Sequence, residues 1–226
     1  MKRPLTICLL ISLINALLLP PVVGSTQVPC SLGTPYRGCP ACGTAKSVKA
    51  KRDNALKNRD GRADNIKVLR VEDIRNSIYN NNFYPNMAVE LTGYVASVVK
   101  GGVKETCNCG RDDLLDVQIN IVASWEERTN AREYVVLEIS PRWEEQLGLD
   151  EGHYQLMLAK LKKEIEHKRV TFRGWMFYDS VHIDESESTN PGNVRNWRAT
   201  PWELHPVTFY KVLPEKPSKQ GQRPRP

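Results

Sequence analysis

Period-two alternation in short segments, broken by one segment of helical period, constrains this chain more than any motif does. In 168–178, Val170, Phe172, Gly174, Met176 and Tyr178 fall on one face of a strand and Thr171, Arg173, Trp175 and Phe177 on the other. The same pattern places Val89, Leu91, Gly93 and Val95 on one face of 87–99. It does so for Val117, Ile119 and Ile121 in 116–123, and for Val135, Leu137 and Ile139 in 134–139. A fifth segment, 199–212, contains Pro201 and Pro206, which predicts a sheet edge or a bulge. Gly93, in mid-strand, predicts a bend or a close backbone approach. Tyr154, Met157, Leu158, Leu161 and Ile165 follow helical spacing and predict a helix over 154–167. Three strands, a helix and two strands is the element order of an OB-fold, a small five-stranded Greek-key barrel. The expected fold is therefore mainly β, an OB-fold-like barrel over 87–213; a β-sandwich with one helix is the alternative. Strands that alternate, rather than being apolar throughout, suit a barrel with one wet face.

The two ends differ from this body. Residues 1–24 have the charged start (Lys2, Arg3), apolar run and small residues of an export signal, which predicts a periplasmic or extracellular protein. No later segment has the length and apolarity of a membrane span. Residues 25–86 form a cysteine-bearing basic arm, and 214–226 a Pro-rich basic tail expected to be disordered. The stretch 46–65, dense in Lys and Arg, is expected as a short helix around 53–57 or a solvated linker. The chain carries a net charge of +6, but 76–213 carries −5 and 44–75 carries +5. An acidic body with basic arms argues against nucleic acid on the barrel itself, since affinity for phosphate follows the cations that touch it.

Without the signal, five cysteines remain: Cys30, Cys39, Cys42, Cys107 and Cys109. An odd number in an exported chain leaves at least one free, metal-bound or paired with another molecule. Disulfides pinning the arm to the body are the first reading. Cys39 and Cys42, spaced as half of a zinc knuckle, are the second, with Cys30 as a third ligand and Cys107 or Cys109 as a fourth. Cys107 and Cys109 are too close for an easy mutual bridge, so each is expected to pair outward.

Asp179, His182, Asp184 and His205, with Arg195 and Arg198 nearby in sequence, form the most suggestive constellation for chemistry. Two imidazoles with carboxylates suffice for zinc or manganese, or for acid–base work near neutral pH. No metalloprotease, nucleophile-elbow or phosphate-loop motif accompanies them, so no enzyme activity is assigned. Asp179, His182 and His205 remain the catalytic candidates. Trp175, Trp197 and Trp202, with Arg173, Arg195 and Arg198, are the candidate ligand face. A Trp175 that points away from the barrel must either stack on a ligand or be covered by an arm. Asp112, Asp113, Asp116 and Asn120 lack the spacing of a calcium loop and are read as turn formers.

Gly174–His182, together with Asn190–Gly192 and Trp197–Thr208, resembles a group of exported bacterial proteins that join a cysteine-bearing arm to an OB-like body. The resemblance implies the fold and brings no activity with it. Three functions are expected from the sequence. The first is an exported, non-catalytic OB-type binding module for polysaccharide, nucleic acid (through the basic arms) or an envelope protein. The second is a metal-dependent, phosphodiesterase-like hydrolase using Asp179, His182 and His205. The third is a structural envelope protein anchored by its tail.

Overall fold

The computed structural model describes residues 30–76, 86–149 and 152–214. The signal segment 1–24 and the tail 215–226 lie outside these ranges. In chain order, helix α1 (Val48–Lys57), strand β1 (Lys67–Leu69) and a short helix α2 precede three successive strands β2 to β4, after which two helices, α3 and α4, lead into β5 and β6. β2 (Ala88–Lys100) runs past two neighbours. Its first half pairs with β5 (Arg169–Tyr178) and its second half with β3 (Val117–Val122), both antiparallel. β3 pairs with β4 (Val135–Ile139), β4 runs parallel to β6 (Trp202–Val212), and β6 pairs back with β5. The ring β2-β3-β4-β6-β5 closes on β2 and makes a five-stranded mixed barrel of OB type. This closure removes the sandwich alternative.

Changing partners halfway along β2 requires the strand to bend, and Gly93 sits at the crossing. A Cβ there would lie 2.8 Å from the Val122 carbonyl oxygen and 3.1 Å from Val71 Cγ2. Backbone and helix α2 (Val71–Arg75) both occupy the space a side chain would need. Pro206 lies in a strand with neighbours on both sides, so the edge reading is corrected in favour of the bulge. Pairing of β6 with β4 reaches only Leu204, so Pro206 is past the point where an amide on that side would be needed. Across from it the β5–β6 register shifts on both sides of Gly174.

The inward residues of each strand make one core: Leu91 and Val95, Ile119 and Ile121, Leu137 and Ile139, Phe172 and Met176, Leu204 and Val207. Met157, Leu161 and Ile165 of α4 (Tyr154–Ile165) join it, as does Trp143 of α3 (Pro141–Gln146). The sequence pattern missed α3, where Pro141 ends a strand by opening a helix at its first turn.

The arm is not a solvated linker. Ser47 caps α1 by accepting the Ala50 amide at 3.1 Å, and Asn54, Ala55 and Leu56 are buried. β1 adds to β2 in parallel, while Val71 and Ile74 of α2 enter the core. Cys30 bonds Cys42, and Cys39 bonds Cys109 in the loop between β2 and β3. These bonds leave no thiolate at Cys30, Cys39 or Cys42 to hold zinc; Cys107 is free and buried. Among the described residues, no helix is long and apolar enough to cross a membrane.

Candidate functional site

The arm lies against the outside of the barrel, and what it covers is polar. Glu138 of β4 and Glu203 and His205 of β6 alternate with core residues and so face outward. Asp116, one residue before β3, does the same. Such positions ordinarily meet water, yet Asp116 and His205 are fully buried and Glu203 and Glu138 nearly so. The cover is made by α1 and the Thr106–Asn108 turn. Asn58 Nδ2 donates to the carbonyls of Ala41 (3.1 Å) and Cys107 (2.7 Å). Asn54 Nδ2 donates to the Cys42 carbonyl at 2.9 Å. Two asparagines on one helix face thus bind the cysteine-rich arm to the barrel loop, alongside the Cys39–Cys109 bridge. Trp175, on the same outer wall, is held by the arm as well. Its Nε1 donates to the Gly61 carbonyl at 2.9 Å, and the Arg59 guanidinium lies 4.7 Å over its ring.

Under this cover, His205 Nδ1 lies 2.7 Å from Glu138 Oε2 and 3.3 Å from Glu203 Oε1. The longer contact is the one aligned as a hydrogen bond. His205 Nε2 lies 3.8 Å from Asp116 Oδ2. Both Asp116 carboxylate oxygens, Glu138 Oε2 and His205 Nε2 are buried without a hydrogen-bond partner. Lys57, its side chain 16 % exposed, reaches over from α1 to Glu105 at 3.8 Å and stands 5.3 Å over the Phe177 ring. Burial alone would push His205 down, but Glu138, Glu203 and Asp116 more than offset it and raise it to about 10. Burial pushes the Asp116 carboxyl up, against the opposing pull of His205. Burial would also lower Lys57, yet Glu138, Cys107 and the other surrounding acids hold it well above its ordinary value. Burial raises the Cys107 thiol, as Asp116 beside it does, so it is a poor nucleophile.

The sequence constellation divides across this wall. Arg198, 1 % exposed, joins its two parts: it donates to Asp179 at 3.2 Å and to Glu203 at 2.8 Å. Asp179 also meets His182 Nδ1 at 2.5 Å. A guanidinium therefore stands between the Asp179–His182 pair and His205, and the three do not converge on one point. Asp184 lies with Ile183 and Glu185 in a short 3-10 turn after His182. Among the ligand-face candidates, Arg173 pairs with Glu90 at 2.7 Å and Trp202 enters the core. Trp197 donates to Glu185 at 2.7 Å, and Arg195 is exposed. These six side chains do not share a surface. Asp116, read from sequence as a turn former, and Glu138, Glu203, Lys57 and Glu105 are the members sequence reasoning missed. The signal for them was indirect: an outward Trp175 needed a cover, and whatever covers it covers its neighbours.

The Asp179–His182 pair gives a testable pH dependence. The hydrogen bond that His182 donates to Asp179 raises His182 against the effect of burial. Burial of Asp179 is outweighed by His182, Lys57 and Arg198, which hold its carboxyl well below the usual range. A raised histidine stabilises fully below its unfolded value, and that stabilisation is lost as pH rises through the folded one. A depressed aspartate stabilises above its unfolded value and loses it on acidification. The pair therefore contributes most between about pH 4 and pH 6.5. Denaturant unfolding of wild type and His182→Gln across pH should show their difference largest in that window and shrinking above it.

On the other side of the β2–β3 loop lies a cleft of about 320 Å³. Tyr36 and Arg37 of the arm line it, with Lys100, Asp112 and Asp113 of the loop and His153, Tyr154 and Gln155 at the start of α4. Tyr154 Oη donates to the Asp116 carbonyl at 2.9 Å, so this loop separates the cleft from the buried cluster. Compared with protein-family models, with curated proteins and with solved structures, the chain has no significant match in any of the three.

Proposed function

We propose that the protein is an exported, non-catalytic binding module of OB type whose ligand is a polar saccharide held in the cleft between the arm, the β2–β3 loop and the start of α4. The observation that carries this reading is the lining of that cleft. Two tyrosines stand beside Lys100, Asp112, His153 and Gln155, four exposed polar side chains of mixed character. A few placed polar groups around aromatic rings suit a ligand rich in hydroxyls. The outer wall supports ligand binding less well, because Trp175 is already occupied by the arm. The acidic body and the aspartates at the rim weigh against a phosphate polymer. Two disulfides fit an oxidising, extracytoplasmic setting.

Titration calorimetry with soluble envelope glycan fragments at low and high salt tests the reading. Binding that changes little with salt, and that weakens about tenfold in Asp112→Ala or Gln155→Ala, is the expected result. A steep loss with salt would assign the cleft to an anionic polymer, and absence of glycan binding would remove the proposal.

A further inference from the structure

We infer that the covered cluster is a metal site, in which Asp116, Glu138 and His205 hold a zinc ion between the barrel wall and the arm. One ligand atom from each of the three lies within 4.8 Å of the others. The 3.8 Å between Asp116 Oδ2 and His205 Nε2 is close to the separation of two neighbouring ligands on one tetrahedral ion, about 3.4 Å for bonds of about 2.1 Å. Glu105 and Cys107 form a second such group with Asp116, so further donors converge on the same carboxylate.

Burial supplies an independent reason. Asp116 is fully buried and neither of its carboxylate oxygens has a hydrogen-bond partner. A carboxylate removed from water without a partner is costly. Lys57 acts on Glu138 and Asp116 through its charge, but its ion pair is with Glu105 and neither Asp116 oxygen gains a hydrogen bond from it. Arg198 is committed to Asp179 and Glu203. Glu105, Asp116 and Glu138 thus bring three carboxylates to a place where Lys57 pairs with Glu105 and the His205 ring lies between the other two.

The surroundings match what a metal-bound imidazole requires. His205 donates from Nδ1 to Glu203, with Glu138 also 2.7 Å from that nitrogen, while Nε2 faces Asp116, and Glu203 is itself fixed by Arg198. A carboxylate behind a ligating histidine sets its tautomer and its ring orientation. Nitrogen, oxygen and a nearby sulphur together favour zinc over magnesium or calcium, which take oxygen alone. The cover then explains itself: a cation seated on the outer wall under a disulfide-tied helix is shielded from exchange.

The test uses the full chain exported to an oxidising compartment and purified without a histidine tag. Elemental analysis after dialysis against zinc, followed by removal of loosely held ion, should find about one zinc per chain. Chelator treatment should lower the melting temperature, and added zinc chloride should restore it. Asp116→Asn should lose the zinc while His182→Ala, altered at the more exposed histidine, keeps it. Glu138→Gln serves if Asp116→Asn does not fold. A wild-type chain that retains no zinc, or one whose zinc survives Asp116→Asn and Glu138→Gln, overturns the inference. So does an Asp116→Asn chain that is more stable than wild type in the presence of zinc, because relief of an unpaired buried charge is then the whole effect. Glycan binding in the cleft is scored separately, so either proposal can fail alone.

Discussion

Replacing Cys39 and Cys109 together by serine is expected to lower the free energy of unfolding by about 4 kcal/mol, close to the entropy removed from a denatured chain by a loop of this size. The bridge spans 70 residues. The loop it closes contains α1, β1, α2 and all of β2, so the unfolded chain regains the freedom of most of the arm when it is cut. Cys30–Cys42 spans 12 residues and should cost about 3 kcal/mol by the same relation. Denaturant titrations of both paired variants measure the difference. The larger bridge should show a second effect that chain entropy does not produce. It is the covalent tie between the arm and the β2–β3 loop, so its loss should expose the outer wall before the barrel opens. A transition that becomes broader or biphasic in the Cys39/Cys109 variant, with that of Cys30/Cys42 remaining single, is the expected pattern.

Arg198→Ala is expected to destabilise by about 3–5 kcal/mol, the cost of removing one partner from a buried ion network. The guanidinium is 1 % exposed and holds two carboxylates, Asp179 and Glu203, that are themselves buried. Its Nε also donates to the Thr200 carbonyl at 2.8 Å, which fixes the entry to β6. With Ala in its place, two negative charges remain inside with one histidine each beside them. If charge is the cause, Arg198→Met combined with Asp179→Asn and Glu203→Gln should recover most of the loss. If the triple variant is no more stable than Arg198→Ala, shape rather than charge sets the cost.

The barrel was legible in the sequence because strand alternation and core burial are the same fact seen twice. Leu91, Ile119, Leu137 and Phe172 are spaced as an inward face must be. The glycine at 93 also announced the bend, since a residue lacking Cβ in mid-strand has little else to offer there. The cluster was not legible, and the reason is physical. Alternation tells which face of a strand a residue takes, but not what comes to lie against the outer face. Glu138 and Glu203 have the spacing of solvated residues, and Lys57 belongs to a run of charge. They become buried because α1 is brought onto the wall by a disulfide whose pairing no spacing rule selects and by two asparagines with no special pattern. Asp179 and His182, three residues apart, were legible as members of one constellation with His205. Their separation from His205 was not, because it depends on an arginine that, at 198, could as well have pointed to solvent.

In the native state the arm closes over the outer wall of the barrel and seals the polar cluster. Cys107 reports on this directly, because it is the one free thiol among the described residues and lies at the edge of the cluster. Alkylation of the native, oxidised protein by a water-soluble reagent, followed by peptide mapping, should find Cys107 unmodified until denaturant unfolds the chain, and modified under native conditions once Cys39 and Cys109 are replaced. Rapid modification of Cys107 in the native wild-type protein would mean that the wall is open to water and that the arm does not seal it.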